Sequence, residues 1–299
     1  MKVLEAIKFL KESFLRSGIK DPLYDAQKII AFYLEIPFLE LNLHADRLLT
    51  DKEYALMVKA GKRRAEHEPL QYIFGKAYFM DLDLFVGKGV LIPRKETELL
   101  VEKVLADFPQ FSTNHDAETI SMLDIGTGSG NIAISIAKHR PDWHIQAVDI
   151  SPQALKIGRE NARRHNVKVS FRKSDLFKGI VGLYDVIIAN PPYISEDDYG
   201  SLDQEIIAYE PESALVAREN GLYYYRRILR EAKKYLRTAG VIYFEIGFDQ
   251  GDRLRKLASE YGYRIIDMIK DYQHFDRVVK LARVRNSDYT EAKEVLWKN

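Results

Sequence analysis

The 299-residue chain contains no cysteine, and this absence excludes several chemistries at once. Disulfides, thiolate nucleophiles and cysteine-ligated zinc or iron–sulfur sites all need the missing side chain. The chain also lacks any apolar run near the ~20 residues that a membrane-spanning helix needs. Its net charge is small, because 45 Lys and Arg face 44 Asp and Glu, which leaves +1. This balance argues against binding to nucleic acid through a broad basic face.

The remaining composition is that of a folded globular protein, with 46% hydrophobic and 30% charged residues. A chain of this length is longer than one hydrophobic core usually fills, so we expect two domains. The first residues, MKVLEAIKFLKESFL, place apolar side chains at helical spacing and offer no small-residue cleavage site. They predict a folded helix rather than a signal peptide. We therefore expect a cytoplasmic protein that does not bind a membrane.

Residues 1–68 have the pattern of a small helical bundle. Apolar residues recur at three- and four-residue steps, and Asp21-Pro22 supplies a cap and a first-turn proline for a second helix. A third helix is expected over residues 50–67, with three side chains facing inward: Leu56, Val58 and Ala60. This helix carries the one local basic cluster of the sequence, Lys59, Lys62, Arg63 and Arg64. We interpret the cluster as a solvated helix face in preference to a partner-binding patch.

Residues 69–93 change character and predict a β-hairpin that links the two domains. They contain aromatic and β-branched residues, three glycines and a bounding proline, and part of the segment alternates apolar with polar residues. A helix is expected at residues 97–108, and the polar stretch at residues 110–118 is interpreted as a surface loop. The second domain is therefore expected to span residues 94–299.

From residue 120 onward, strands alternate with helices. Strands are expected at Ser121–Ile125, His144–Asp149, 167–171, Tyr184–Ala189 and 241–246, with a closing pair at 263–269 and 277–282. Helices are expected at Asn131–His139, 152–165, 222–236 and 249–261. This alternation predicts an α/β fold with a Rossmann-like, mostly parallel sheet. The short link in the closing pair predicts an antiparallel last strand, and the segment after Ala282 is left open between an added helix and a tail.

The sequence DIGTGSG at residues 124–130 lies where a strand ends and a helix begins. Its glycines permit a tight turn and a close approach of a ligand to the backbone. Asp149, nineteen residues past Gly130, is expected at the end of the next strand, where a carboxylate can accept hydrogen bonds from a ribose diol. These features favour a nucleoside cofactor over a purely structural glycine turn.

The type of nucleoside cofactor follows from details of the same loop. A dinucleotide fingerprint would place glycine or alanine where the chain has Asn131, and the chain has no G-K-[ST] sequence, which excludes a P-loop. Asp124 would repel a pyrophosphate. It suits a ligand with a positive amino group, and S-adenosylmethionine carries both an ammonium and a sulfonium.

A second motif, NPPY at residues 190–193, directly follows the buried strand YDVIIA. The two prolines remove two backbone donors, so the edge they form is rigid and rich in acceptors. The Asn190 side-chain carbonyl and the Pro191 backbone carbonyl can together accept both hydrogens of one planar –NH₂ group. Tyr193 can lie against the flat substrate group. Two acceptors on an amide or aromatic amine favour positive charge on its nitrogen during methyl transfer. We prefer this reading to a purely structural turn.

At these residues the chain resembles the class I S-adenosylmethionine-dependent methyltransferases. Among them it is similar to the protein-glutamine methyltransferases of the HemK/PrmC type, which modify peptide-chain release factors. The resemblance covers nearly the whole chain. It is carried by EPLQYI at 68–73, LIPR at 91–94, DIGTGSG at 124–130, SDLF at 174–177, NPPY at 190–193, YEP at 209–211 and EIG at 245–247. NPPY also occurs in nucleic-acid adenine methyltransferases, so the linker and the YEP region discriminate best.

The resemblance implies a role for each matching position. The residues implied to bind the cofactor are Gly126, Thr127, Gly128, Ser129, Gly130, Asp149, Leu176 and Asn190. Those implied to bind the substrate glutamine are Asn190, Pro191, Pro192 and Tyr193, of which Asn190, Pro191 and Tyr193 are the expected catalytic residues. Some relatives have an aromatic residue at the position of Leu176, which flanks the adenine. No metal is implied, because the substrate nitrogen is itself the nucleophile.

The implied reaction moves a methyl group from S-adenosylmethionine to the glutamine of a Gly-Gly-Gln motif in class 1 release factors, leaving S-adenosylhomocysteine. The implied role of residues 1–68 is to dock that partner. We expect a monomer without stable nucleic-acid binding. Two other hypotheses stay open from the sequence: a nucleic-acid adenine methyltransferase, and an inactive cofactor-binding protein that only docks release factors.

Overall fold

The computed structural model describes residues 1–109 and 119–284. The predicted surface loop at residues 110–118 and the tail from residue 285 lie outside the described residues. The chain forms two compact units. We call them the helical unit, which comprises Met1–Lys76, Val86–Lys88 and Leu202–Glu210, and the sheet unit, which comprises the described residues within Ala77–Phe85, Gly89–Ser201 and Pro211–Asn299.

Helices and strands follow one another along the described chain. The helices are α1 Val3–Arg16, α2 Pro22–Leu34, α3 Asp51–Ala65, α4 Leu70–Phe74, α5 Glu96–Asp107, α6 Asn131–His139, α7 Pro152–Arg164, α8 Glu196–Tyr199, α9 Gln204–Tyr209, α10 Tyr223–Ala232 and α11 Gly251–Glu260. The strands are β1 Lys76–Phe79, β2 Leu82–Phe85, β3 Ser121–Ile125, β4 His144–Asp149, β5 Ser170–Lys173, β6 Tyr184–Ala189, β7 Leu236–Glu245, β8 Tyr263–Lys270 and β9 Asp276–Arg283. Short 3₁₀ helices occupy Phe38–His44 and Glu212–Ala214.

The helical unit has its own apolar core, built by α1, α2 and α3. Of the predicted inward residues of α3, Ala60 is confirmed, whereas Leu56 and Val58 are wrong. Met57, Ala60 and Gly61 are buried, whereas Leu56 is exposed and Val58 is only half-buried. The reason is that α3 approaches α1 through its smallest side chains: a Cβ on Gly61 would overlap the side chain of Leu10.

The basic cluster of α3 is not one solvated face. Arg63 forms two hydrogen bonds of 2.6 Å to the carboxylate of Glu68. Arg64 is buried and forms ion pairs of 2.6 Å with Asp25 on α2 and with Glu205 on α9. Guanidinium groups suit such multivalent pairing, and this use of two of the four cations leaves only the two lysines as an exposed pair.

Leu70–Phe74 forms α4 rather than part of a hairpin. Pro69 is the N-cap of this helix, and Gly75 ends it in a left-handed conformation with φ of 69°. A proline before a short apolar run and a glycine after it are ordinary helix boundary signals, which the aromatic content of the segment had obscured. The hairpin is therefore confined to β1 and β2, which form a separate two-stranded sheet.

The sheet unit contains a seven-stranded sheet in the order β5-β4-β3-β6-β7-β9-β8. Strands β5, β4, β3, β6 and β7 are parallel, and β9 is antiparallel to both β7 and β8. The predicted α/β class, with its mostly parallel sheet and antiparallel last strand, is confirmed. The strand order reverses between β3 and β6, and ligands bind at such a point in open parallel sheets.

Apolar cores cover both faces of this sheet. One contains buried residues of α10 and α11, and the other contains residues of α5, α6 and the β1–β2 hairpin. β3, α6, β4 and β6 have the bounds expected from the sequence. The expected strand at 167–171 starts late, because Asn166 is left-handed and the amide of Val167 caps α7 by donating to Ala162. The expected helix at 222–236 ends early, because Leu236 already pairs with Tyr184 on β6.

No helix within residues 1–109 and 119–284 is both long and apolar enough to cross a membrane.

Candidate active site

Four parallel strands bring the motifs of the sequence to one row at the edge of the sheet. Ile125 on β3 pairs with Val148 on β4 and with Ala189 on β6, and Ala189 pairs with Phe244 on β7. The next residue of each strand therefore lies at the same level, at the carboxyl end of the sheet. Those four residues are Asp149, Gly126, Asn190 and Glu245. The glycine loop and the NPPY segment are neighbours here, although 59 residues separate them in the chain.

The glycine loop offers open backbone at two positions. Gly126 and Gly128 have φ of +75° and +54°, and a Cβ on either would meet no atom within 4 Å among the described residues. The amides of Gly126 and Thr127 donate to the carbonyl of Val148, at 2.8 and 3.0 Å, which ties the loop to β4. Thr127 and Ser129 are buried and Gly126 is exposed, so the two open glycines form the accessible part of the loop.

Asp124 does not face a ligand, contrary to the expectation from the sequence. Its side chain is completely buried, and its Oδ2 accepts a 2.6 Å hydrogen bond from the Thr127 hydroxyl. Burial raises the pKa of this carboxyl to about 7, because the charged form loses its hydration. Asp124 therefore supports the loop from beneath and does not present a charge to a ligand.

Asp149 connects the end of β4 to the glycine loop. Its Oδ2 accepts a hydrogen bond from the amide of Gly128 at 2.9 Å, and its Oδ1 accepts one from the amide of Ser151 at 2.9 Å. Burial raises the pKa of the carboxyl against the effect of these backbone donors. A carboxylate oxygen has lone pairs for more than one donor, so Asp149 retains acceptor capacity for a ligand beside Gly128.

Leu176 follows β5, and the hydrogen bonds of Ser174 fix the backbone conformation there. The single hydrogen of the Ser174 hydroxyl is shared between the carbonyls of Leu176 and Lys178, at 2.7 and 2.9 Å, and the Ser174 amide donates to the carbonyl of Asp149 at 3.0 Å. Leu176 has a left-handed φ of 52°, and its side chain is almost fully buried in the core on one face of the sheet. The segment is thereby held close to Asp149 in a conformation that a leucine adopts rarely.

The NPPY segment is held by two groups of contacts. On one side, the Asn190 side-chain nitrogen donates to the hydroxyl of Thr97, on α5, at 3.1 Å. This bond uses the NH₂ end of the amide, so the carbonyl oxygen of Asn190 is the end that remains for a substrate. On the other side, the Tyr193 hydroxyl donates to Glu245 Oε1 at 3.3 Å. Burial raises the pKa of the Tyr193 phenol, which keeps it a neutral donor.

The backbone of Tyr193 is fixed as well. The side-chain nitrogen of Gln250 donates to its carbonyl at 2.9 Å, and Gln250 Oε1 accepts from the amide of Gly247 at 2.9 Å. Gly221 packs against the same carbonyl, with φ of +83°, and a Cβ at that position would overlap it. A substrate amide would therefore meet a preformed edge at Asn190 and Tyr193.

Two family models match the chain. The model of the methyltransferase small domain matches residues 96–221, and the model of the PrmC N-terminal domain matches residues 5–75. Similar proteins span almost the whole chain. A release factor glutamine methyltransferase of Streptococcus pneumoniae is 38% identical, over 91% of this chain and 100% of its own length. One of Thermodesulfovibrio yellowstonii is 36% identical, over 96% of this chain and 100% of its own length. The chain belongs to the release factor glutamine methyltransferase family.

The fold is also that of a solved methyltransferase from Pyrococcus furiosus, with a TM-score of 0.52 and 18% identity over 79% of this chain and 100% of that one. The cofactor of this chain, as a class I methyltransferase, is S-adenosylmethionine. The residues present fit it: Gly126 and Gly128 leave open space beside the backbone, and Asp149 stands at the adjacent strand end. A nucleic-acid adenine methyltransferase is not favoured, because the relatives matched over their full length carry the release factor name.

Four residues of this family member were not assigned a role from the sequence: Thr97, Gly221, Glu245 and Gln250. Thr97, Glu245 and Gln250 lie far from NPPY in the sequence, and only the folded arrangement of the sheet and α5 brings them next to it. One signal was available. Glu245 ends the run VIYFE, and a charged residue at the carboxyl end of a buried parallel strand is placed where ligands bind.

Proposed function

We propose that this chain transfers a methyl group from S-adenosylmethionine to the side-chain amide nitrogen of the glutamine in the Gly-Gly-Gln motif of class 1 peptide-chain release factors. The observation that carries the proposal is the orientation of Asn190. Its NH₂ group is engaged by Thr97, so its carbonyl oxygen is the group that meets a substrate. A site that presents acceptors recognises a donor, and a primary amide is a planar donor of two hydrogens.

The cofactor is held by the glycine loop and its neighbours. Gly126 and Gly128 line the methionine end with open backbone, while Thr127, Ser129 and Gly130 hold the shape of the loop. Asp149 accepts from the ribose hydroxyls, and Leu176 flanks the adenine. When bound, S-adenosylmethionine supplies an activated methyl group on its sulfonium sulfur.

The substrate amide is held by the NPPY edge. Asn190 Oδ1 and the carbonyl of Pro191 accept its two hydrogens, Pro192 keeps the edge rigid, and Tyr193 packs beside the amide plane. The lone pair of an amide nitrogen is delocalised, so its attack becomes easier when the developing positive charge is met by fixed acceptors. The proton becomes acidic only as the new bond forms, and the chain therefore needs no strong base at this position.

The domain roles follow the same proposal. Residues 1–68 dock the release factor, residues 69–93 link the domains, and residues 94–299 carry out methyl transfer. The match of residues 5–75 to the PrmC N-terminal domain supports a separate N-terminal module. We expect the protein to act as a cytoplasmic monomer without stable binding to nucleic acid.

The direct test incubates the protein with methyl-labelled S-adenosylmethionine and a purified class 1 release factor. We expect label on the release factor, and we expect its loss when the Gly-Gly-Gln glutamine is changed to alanine. An unlabelled release factor, or label that persists in the glutamine variant, would contradict the proposal. Label on RNA or DNA that survives protease treatment would support the nucleic-acid alternative instead.

A further inference from the structure

Two buried polar side chains lie behind Asn190, and the proposed function has so far used only the hydrogen bond between one of them, Thr97, and Asn190. Thr97, in the first turn of α5, and Glu245, at the end of β7, are each only 1% exposed. Thr97 accepts the hydrogen bond from the Asn190 side chain at 3.1 Å. Glu245 lies beside Asn190 in register, since Ala189 pairs with Phe244.

The hydrogen bonds among these side chains run in one direction. A threonine hydroxyl has a single hydrogen to donate. An ionised carboxylate can only accept, so toward an ionised Glu245 the Thr97 hydroxyl is the donor, and this interaction lowers the pKa of the carboxyl. With its hydrogen committed to a carboxylate, the Thr97 oxygen can only accept from Asn190. The NH₂ end of Asn190 is thereby drawn toward Thr97, and the carbonyl end is left outward.

A purely structural role does not explain the carboxylate of Glu245. Its Oε1 accepts the Tyr193 hydroxyl at 3.3 Å, but its Oε2 has no hydrogen-bond partner among the described residues. Leaving a buried acceptor unsatisfied costs about 1–3 kcal/mol, and more if the group is charged. Arg277 lowers the pKa of the carboxyl from a distance, but its guanidinium is itself paired with Asp271 at 3.0 Å. An apolar or amide side chain at position 245 would be the more stable choice.

We propose that Thr97 and Glu245 are positioning residues that fix which end of the Asn190 amide faces the substrate. The proposal deepens, and rests on, the function proposed above. An ionised Glu245 takes the hydrogen of Thr97, Thr97 takes a hydrogen of Asn190, and Asn190 Oδ1 is presented as an acceptor. The same carboxylate takes the Tyr193 hydroxyl, so Glu245 holds both ends of the NPPY edge.

We call the hydrogen bonds that run from Asn190 through Thr97 to Glu245 the relay. Protonation of Glu245 would reverse their direction. A neutral carboxyl can donate to Thr97, which frees the Thr97 hydrogen to bond Asn190 Oδ1 and turns the amide over. Burial raises the pKa of Glu245 to about 7, so this change falls in an accessible pH range. The ionised form is required, and the rate should therefore fall as the pH is lowered through that pKa. The titratable and charged groups that face Glu245 are Glu96 on α5, Tyr193 of NPPY, Tyr225 on α10 and Arg277 on β9.

The test compares substitutions that keep shape but alter hydrogen bonding. We expect Thr97→Val to lower kcat on the order of 10-fold, with the release factor KM and the cofactor Kd within about twofold of the unsubstituted protein, because only the acceptor orientation is lost. Thr97→Ser keeps the hydroxyl and should restore most of kcat. Ser135→Ala is the matched control, since it removes a buried hydroxyl that has no partner among the described residues. It should leave kcat unchanged.

Glu245→Gln provides the pH readout. We expect the unsubstituted protein to show a rise of kcat between about pH 6 and 8 and Glu245→Gln to remove it, whereas a structural role would lower stability without changing the profile. An unchanged kcat in Thr97→Val, a Thr97→Ser variant as slow as Thr97→Val, or an unchanged pH profile in Glu245→Gln would each overturn the proposal.

A second readout needs no substrate, so failure of the proposed function is distinguishable from failure of the relay. The side-chain NH₂ resonances of Asn190, identified by their loss in Asn190→Ala, should titrate with Glu245 and should shift in Thr97→Val. If these resonances stay constant with pH, or are the same with and without the Thr97 hydroxyl, the relay is wrong even if the release factor is methylated. If they behave as expected while the release factor is not labelled, only the proposed function fails.

Discussion

Gly221→Ala is expected to disturb the active site through a single methyl group. Gly221 has φ of +83°, and a Cβ there would lie 3.0 Å from the carbonyl carbon of Tyr193 and closer still to its oxygen. The same Cβ would overlap the side-chain nitrogen of Gln250, which donates to that oxygen at 2.9 Å. The clash involves backbone, so it cannot be relieved by rotating one side chain. The NPPY edge must move.

Three contributions make up the expected loss in the free energy of unfolding of Gly221→Ala. A left-handed conformation costs a non-glycine residue roughly 1–2 kcal/mol. Overpacking of a close contact adds about 1–3 kcal/mol, and loss of the Gln250 hydrogen bond adds about 1 kcal/mol. We therefore expect the free energy of unfolding to fall by roughly 3–6 kcal/mol. The rate of methyl transfer should fall as well, because Tyr193 and Asn190 are displaced together.

Gly182→Ala separates backbone strain from the clash. Gly182 has φ of +103° in the same unit, and a Cβ there meets no atom within 4 Å among the described residues. It should lose only the roughly 1–2 kcal/mol of strain and keep the methylation rate. Urea unfolding of both variants, together with kcat on a release factor, measures the difference. Equal stability losses in the two variants, or an unchanged kcat in Gly221→Ala, would refute the role of this contact.

Three further outcomes are expected. Asn190→Ala should reduce turnover at least about 100-fold with nearly unchanged cofactor affinity, since it removes the acceptor that we propose acts in the transition state. Calorimetry with S-adenosylmethionine measures the affinity and a labelling assay measures turnover; an active variant would contradict the proposed role of Asn190. Asp149→Ala should weaken cofactor binding roughly 10-fold or more, because hydrogen bonds to a charged group contribute about 1.5–3 kcal/mol; an unchanged Kd would contradict the ribose assignment. Arg64→Met should destabilise the helical unit by about 3–5 kcal/mol, because it leaves Asp25 buried without its cation. The double variant Arg64→Met with Asp25→Leu should recover most of that stability, and a double variant no more stable than the single one would show that the loss has another cause.

The sheet unit was predictable from the sequence where the local signals agree. β3, α6, β4 and β6 have the expected bounds, because strong apolar runs end at glycine, proline or capping residues. The boundaries failed where a distant partner decides them. Leu236 belongs to β7 because it pairs with Tyr184 on β6, and the sequence around Leu236 contains no signal that predicts this pairing.

The helical unit shows the same limit at the level of side chains. The spacing of apolar residues predicted the bundle and the inward position of Ala60, but not that Gly61 packs against α1, because only the fold shows how closely α1 approaches there. Arg64 likewise looked like one member of an exposed basic run. Its burial depends on two carboxylates, Asp25 and Glu205, that lie 39 and 141 residues away in the chain.

For the site itself, the sequence alone determined the chemistry. A chain without cysteine, with a glycine loop followed by an acidic residue and with an Asn-Pro-Pro-Tyr segment after a buried strand, has the parts of a methyltransferase acting on an amide or amine nitrogen. Each of these motifs is a continuous stretch of sequence, so it can be recognised without knowledge of the fold. Only the tertiary structure decided that the loop and NPPY lie side by side, because strand order depends on pairing across the chain. It also decided that Thr97 and Glu245 lie next to the Asn190 side chain, because these residues are far apart in the sequence and only the fold brings them together. The direction of their hydrogen bonds can be assigned only once they are in contact.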